Sequence, residues 1–159
     1  MYLTKREQSF LEMLPRGGFT LDEVASIISM PRRYAVELLN RLIRKKKLAC
    51  VSKGVYFSGF LEPEKMALTL EPKGYISMVS ALKYYGLIDE ELSRVYVATE
   101  KRSGRKTVGT FDVEFVPFGK DFYGVVETDG LRVSTRAKTF FDCVKKPRLA
   151  GGLQAVLEL

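Results

Sequence analysis

Between Pro31 and Lys53 the chain gathers side chains suited to gripping a polyanion: Arg32, Arg33, Tyr34, Glu37, Asn40, Arg41, Arg44, Lys45, Lys46, Lys47 and Lys53. An arginine fork matches the paired acceptors of a guanine edge, and an asparagine amide matches adenine. Lysine and further arginine neutralise phosphate oxygens. The charge balance points the same way. Residues 1–60 hold 11 Lys/Arg against 5 Asp/Glu, whereas residues 61–159 hold 15 against 14, so nearly all of the net charge of +7 sits in the first third. A basic segment joined to a near-neutral one suggests a nucleic-acid partner, and less often an anionic membrane surface.

Other chemistries find fewer residues. The chain has no histidine, so Ser-His-Asp and Cys-His catalysis is closed and zinc is left almost without ligands. Asp112 and Glu114 stand at i and i+2 and, on one face of a strand, could hold Mg²⁺ for a small nuclease. Alternating acids on a strand are far more often a solvated face. Cys50 and Cys143 lie in separate apolar surroundings and read as reduced core residues rather than as a disulfide or metal pair. No metal or cofactor is expected. No apolar run approaches the ~20 residues of a membrane helix, and the N-terminus lacks the apolar stretch of a signal peptide, so a cytoplasmic protein without a membrane partner is expected.

The elements that must position the cationic residues follow from spacing. Leu3, Phe10, Leu11 and Leu14 outline a short helix ended by Pro15-Arg16-Gly17-Gly18. Phe19 and Thr20 open the next, and Thr20-Leu21-Asp22-Glu23 has the form of a capping box, in which hydroxyl and carboxylate each satisfy a backbone N–H of the first turn. Leu21, Val24, Ala25 and Ile28 form its apolar face. Pro31 suits the start of a third helix running to about Lys45. There Ala35, Val36, Leu38, Leu39, Leu42 and Ile43 occupy one arc, and the opposite arc carries Arg33, Tyr34, Glu37, Asn40, Arg41 and Arg44. Two β-prone runs, Leu48–Ser52 and Val55–Phe57, flank a Lys53-Gly54 turn and predict a hairpin. Helix, helix, turn, helix and basic hairpin in that order resemble a winged helix-turn-helix. The resemblance implies that the third helix enters the major groove and that the hairpin touches backbone.

Residues 61–159 predict a small α/β domain. Glu62-Pro63-Glu64 opens a helix to about Leu70, expected to bridge the domains. A helix from Ser77 to Tyr85 would stop at Gly86. Strands are expected at Val95–Thr99 and Thr110–Val116, with the Lys101–Lys106 segment as a solvated connection. A hairpin turns at Thr128-Asp129-Gly130. Ser134 or Thr135 caps a helix through Val144, and Gly151-Gly152 precedes a last short helix. The expected fold class is α+β, a winged helix in residues 1–60 followed by a small mixed domain in residues 61–159.

The second segment also resembles a known family. The run Tyr75-Ile76-Ser77, Ser80-Ala81-Leu82 and Tyr85-Gly86-Leu87, the strand Val95–Thr99, the stretch Lys138-Thr139-Phe140-Phe141-Asp142, and Gly151-Gly152-Leu153 recur in this order in AbiEi-type antitoxins, the predicted transcriptional regulators of viral defence systems. With the winged helix, the resemblance covers nearly the whole chain. Where the family often carries Glu-Arg, this chain has Ala137-Lys138. The resemblance implies an operon repressor that is also the antitoxin of a nucleotidyltransferase toxin, countering it functionally if not by direct contact. Double-stranded operator DNA is then the partner, with a homodimer on DNA left open. The competing readings are a winged-helix protein-interaction adaptor without antitoxin activity, and the small metal-dependent nuclease built on Asp112 and Glu114.

Overall fold

The computed structural model describes residues 2–58, 62–90, 92–108 and 110–157. It is a mixed α+β protein with seven α-helices and two sheets among the described residues. None of those helices is long and apolar enough to cross a membrane. The chain forms two compact units, Met1–Leu70 and Glu71–Leu159. The division falls ten residues beyond the boundary expected from composition.

The first unit runs α1 (Lys5–Met13), β1 (Gly17–Thr20), α2 (Leu21–Ile28), α3 (Arg32–Arg44), β2 (Leu48–Ser52), β3 (Val55–Ser58) and α4 (Pro63–Leu70). Both α1 and α2 start with a complete capping box, Thr4 with Glu7 and Thr20 with Glu23. The second of these is the one that the Thr20-x-x-Glu23 spacing predicts. Helix α2 stops where Ser29 adopts a left-handed conformation, and Pro31 takes the N-cap position of α3. Phe10, Leu14, Phe19, Val24, Leu38, Leu39 and Leu42 meet in one core that the three helices enclose with Leu48 and Tyr56.

Two expectations for this unit change. Phe19 does not open the second helix: it lies in β1, whose last residue, Thr20, is the N-cap of α2, and β1 pairs antiparallel with β3 to make a three-stranded sheet in the order β1-β3-β2. Four residues starting Gly-Gly have little strand propensity of their own. Pairing supplies it, with Phe19 opposite Tyr56 and their rings stacked 5.9 Å apart. Helix α4 is not a bridge belonging to the second domain, because it packs on β1 and β2 and buries Met66 and Ala67.

The second unit runs β4 (Tyr75–Ile76), α5 (Met78–Tyr84), β5 (Arg94–Thr99), β6 (Gly104–Val108), β7 (Phe111–Pro117), β8 (Val125–Thr128), β9 (Leu131–Ser134), α6 (Arg136–Lys145) and α7 (Leu153–Leu157). Its six strands lie in the order β6-β7-β5-β4-β9-β8, with β5–β7 and β4–β9 parallel and the other pairs antiparallel. Strand β5 is buried along almost its whole length, as befits an inner strand covered on both faces. Helices α5 and α6 pack on each other, α5 against β5 and α6 against β9.

The helix expected after Ser77, the 128–130 hairpin, the Thr135 cap and the final helix are all present. Gly86 has φ +66°, so it takes the left-handed stop that an L side chain resists. The Lys101–Lys106 segment is corrected in part. From Gly104 onward it is edge strand β6, whose Gly-Arg-Lys-Thr run shows no apolar face to a sequence reader.

Candidate nucleic-acid interface

Helix α3 presents the cationic residues because its apolar ones are consumed by the core. Ala35, Leu38, Leu39 and Leu42 are buried, which turns the other side of the helix outward. At 100° per residue, Arg33, Glu37, Asn40 and Arg44 fall within roughly 60° of arc, with Arg41 about 40° further round. All five are exposed. Arg33 lies 3.8 Å from Glu37, and the Arg44 Nε donates to the Asn40 carbonyl at 3.4 Å. Both contacts are solvated and weak, so they hold the side chains loosely.

The remaining candidates separate by environment. Arg32 is exposed and pairs with Asp22 at 2.6 Å, on the flank of the arc. Tyr34 is half-buried, with the Arg6 guanidinium 4.8 Å from its ring centroid. Arg6 thus joins the flank of α3 from another helix, which no local spacing foretells. Lys46 and Lys47 are exposed directly after α3, and Lys46 takes a left-handed conformation (φ +57°). Lys53 is exposed at the β2–β3 turn, where Gly54 (φ +76°) permits the tight reversal.

Lys45 is set apart from its neighbours. Its ammonium lies 2.7 Å from Glu7 and donates to the Tyr2 carbonyl at 3.0 Å, with both charged side chains largely buried. The Lys45 ammonium, then the Thr4 N–H, hold the Glu7 carboxyl down to about 2. Lys45 therefore ties α1 to the end of α3 instead of joining the exposed lysines. Cys50 is also displaced from its expected place: it is exposed on β2, beside a register shift between Cys50 and Ser52. Strict alternation would put Cys50 on the face of Leu48; the register shift breaks it, so Leu48 and Val51 are the buried residues of the strand.

In the second unit the acid pair is surrounded by cations. Glu114 lies 2.9 Å from Arg94 and 3.3 Å from Arg105. Asp112 accepts from the Thr107 hydroxyl at 2.8 Å and lies 3.9 Å from Arg105. Among the described residues, no three His, Cys, Asp or Glu side chains converge as a metal site. This is the pattern of a cross-strand ion-pair face.

A buried polar cluster lies where β4 meets α6. Ser77 stands at the N-cap of α5, but its hydroxyl donates to Asp142 at 2.6 Å instead of capping. Asp142 also accepts from Lys138, one turn earlier on α6, and both are almost wholly buried. Burial pushes the Asp142 carboxyl up, while Lys138 and Ser77 oppose that shift. The Lys138 ammonium sits 4.6 Å from the Phe118 ring and 5.0 Å from those of Tyr123 and Phe141. Nearby, the buried Cys143 thiol is pushed up to about 12 by burial and by Asp142, which makes it an inert core group. The sequence signal for this cluster was an i,i+4 Lys-Asp pair, which ordinarily marks a wet helix face.

No family model matches this sequence, and no curated protein matches it.

Proposed function

We propose that residues 1–70 form a winged helix-turn-helix and that the protein is a sequence-specific, double-stranded-DNA-binding transcriptional regulator. In this reading α2 and α3 are the helix-turn-helix, α3 lies in the major groove, and the β2–β3 hairpin is the wing. The observation that carries it is the exposed face of Arg33, Asn40, Arg41 and Arg44 on α3, followed by exposed Lys46 and Lys47 and by Lys53 at the β2–β3 turn. Arg33, Asn40 and Arg41 would read base edges, and the lysines would neutralise phosphates. The resemblance of residues 75–153 to AbiEi-type antitoxins extends the reading to an autorepressor that counters a nucleotidyltransferase toxin. A cytoplasmic binding protein, not an enzyme, is the role that follows.

The test is fluorescence anisotropy of the full chain with the DNA upstream of its own gene, titrated over salt. Four exposed cations assigned to phosphate (Arg44, Lys46, Lys47 and Lys53) imply a loss of roughly 10²-fold in affinity between about 50 and 200 mM salt. Arg33→Ala, Asn40→Ala or Arg41→Ala should cost about 1–3 kcal/mol on the operator and little on random DNA. Lys46→Ala and Lys53→Ala should weaken both DNAs alike and lower the salt slope by about one phosphate each. Absence of salt-dependent binding removes the DNA reading. Co-expression with a neighbouring nucleotidyltransferase gene tests the antitoxin part: rescue should survive the α3 substitutions, and failure of the intact chain to rescue removes that part alone.

A further inference from the structure

Helix α6 turns a charged pair inward and its aromatic residues outward. Lys138, Thr139, Asp142 and Cys143 are buried, whereas Phe140, Phe141 and Val144 are 46%, 40% and 40% exposed. At 100° per residue, Phe140, Val144, Ala137 and Phe141 succeed one another across about 100° of arc, with the i, i+3, i+4, i+7 spacing of a helix that packs on a partner. Arg136 falls about 40° beyond Phe140 on one side and Lys145 about 40° beyond Phe141 on the other. Both cations are exposed. Tyr123, 54% exposed, extends the patch, because its ring and that of Phe141 each lie 5.0 Å from the Lys138 ammonium. A contiguous apolar strip with a polar rim, left in water on a folded surface, marks an interaction site.

The charge at the rims selects the occupant. Arg136 stacks on the Tyr85 ring at 5.2 Å, and Lys145 pairs with Asp121. Lys146 and Arg148 continue the positive charge past the end of α6, and the one carboxylate between residues 136 and 148, Asp142, is buried against Lys138. A second copy of this face would set cation against cation, which like-charge repulsion opposes. An anionic bilayer answers the charge, but interfacial helices often run to roughly 20–30 residues. Helix α6 has ten, and its other side packs on β9 and α5. We infer that this face docks an amphipathic helix of a partner protein, whose apolar stripe is edged by Asp and Glu on both sides. Phe140, Phe141 and Val144 meet the stripe, while Arg136 and Lys145 face its carboxylates. Ten residues of α6 span about 15 Å, so about three turns of the partner are engaged. The inference is independent of the DNA reading, which rests on the first unit.

The experiment selects against the full chain from a displayed library of helical peptides of about five turns. Leucine is fixed at i, i+3, i+4 and i+7, and the rim positions are randomised among Glu, Lys and Ser. Enriched peptides should carry Glu on both rims, and the best of them, as a free peptide, should bind saturably and more weakly as salt rises. Phe140→Asp and Val144→Asp should each weaken it about tenfold or more with Tm unchanged, since both positions are exposed. Should either variant unfold, Arg136→Glu carries the test: it should weaken the Glu-rimmed peptide and strengthen its Lys-rimmed counterpart. No enrichment, enrichment of Lys-rimmed or Ser-rimmed peptides, or binding that these variants leave intact overturns the proposal. Two further arms test the other occupants. A dimer in analytical ultracentrifugation that Phe140→Asp dissolves assigns the face to a second copy and overturns it. Co-sedimentation with phosphatidylglycerol vesicles that Phe140→Asp abolishes assigns the face to a membrane and overturns it as well.

Discussion

Replacing Lys138 by methionine removes an ammonium from a site closed on every side. The side chain is 3% exposed and its Asp142 partner 0%. Without Lys138, Asp142 keeps only the Ser77 hydroxyl as a donor, and breaking a buried pair from one side costs about 3–5 kcal/mol. Methionine fills the volume and can still touch the Phe118, Tyr123 and Phe141 rings, so the loss is electrostatic more than steric. With a urea m-value of roughly 2 kcal/mol/M, a cost of about 4 kcal/mol lowers the unfolding midpoint by roughly 2 M. The second unit should lose cooperative structure first, seen in amide spectra as the collapse of residues 71–157. Lys138→Met with Asp142→Leu together should recover most of the loss, since an apolar replacement of a buried pair is often neutral or stabilising. A single substitution costing under about 1 kcal/mol, the value for a solvated pair, refutes the reasoning. A double variant as unstable as the single refutes it too.

Other perturbations test neighbouring parts of the account. Tyr75 is fully buried and stacked on Phe122 at 5.1 Å, with no partner for its hydroxyl, so Tyr75→Phe should raise stability by about 1 kcal/mol, and a drop in the urea midpoint counts against it. Gly86→Ala meets no neighbouring atom but must hold φ +66°, so it should destabilise by about 1–2 kcal/mol; an unchanged melting curve would show that α5 can end otherwise. Acid should separate the units. Glu7 falls from its ordinary 4.5 to about 2, and Glu23 is lowered by the Thr20 N–H and hydroxyl. The Glu7 stabilisation is therefore complete above about pH 4.5 and drains as pH falls toward 2, and that of Glu23 is likewise lost in acid. Asp142 is raised by burial, so its contribution runs the other way, greatest in acid and lost as pH rises. Amide spectra near pH 3 should lose the first unit before the second, and the reverse order would overturn this assignment.

Local spacing sufficed where the physics is local. The Thr20-x-x-Glu23 box, the apolar arc of α3, the Lys53-Gly54 and Asp129-Gly130 turns and the Gly86 stop each involve groups within a few residues, so the chain order alone sets their geometry. What chain order cannot set is which partner a charged or polar group meets after folding. Lys45, Lys46 and Lys47 are identical in sequence, yet only Lys45 is turned onto Glu7, 38 residues away, because α1 packs over the end of α3. Lys138 and Asp142 read as a solvated helical pair until β4 brings Ser77 from 65 residues earlier and three aromatic rings close over the ammonium. Strand β1 exists only because β3 offers it a ladder, and Arg94 becomes an unsatisfied donor only because tertiary packing removes its water. Propensity and periodicity are properties of neighbours along the chain; desolvation and pairing are decided by neighbours in space.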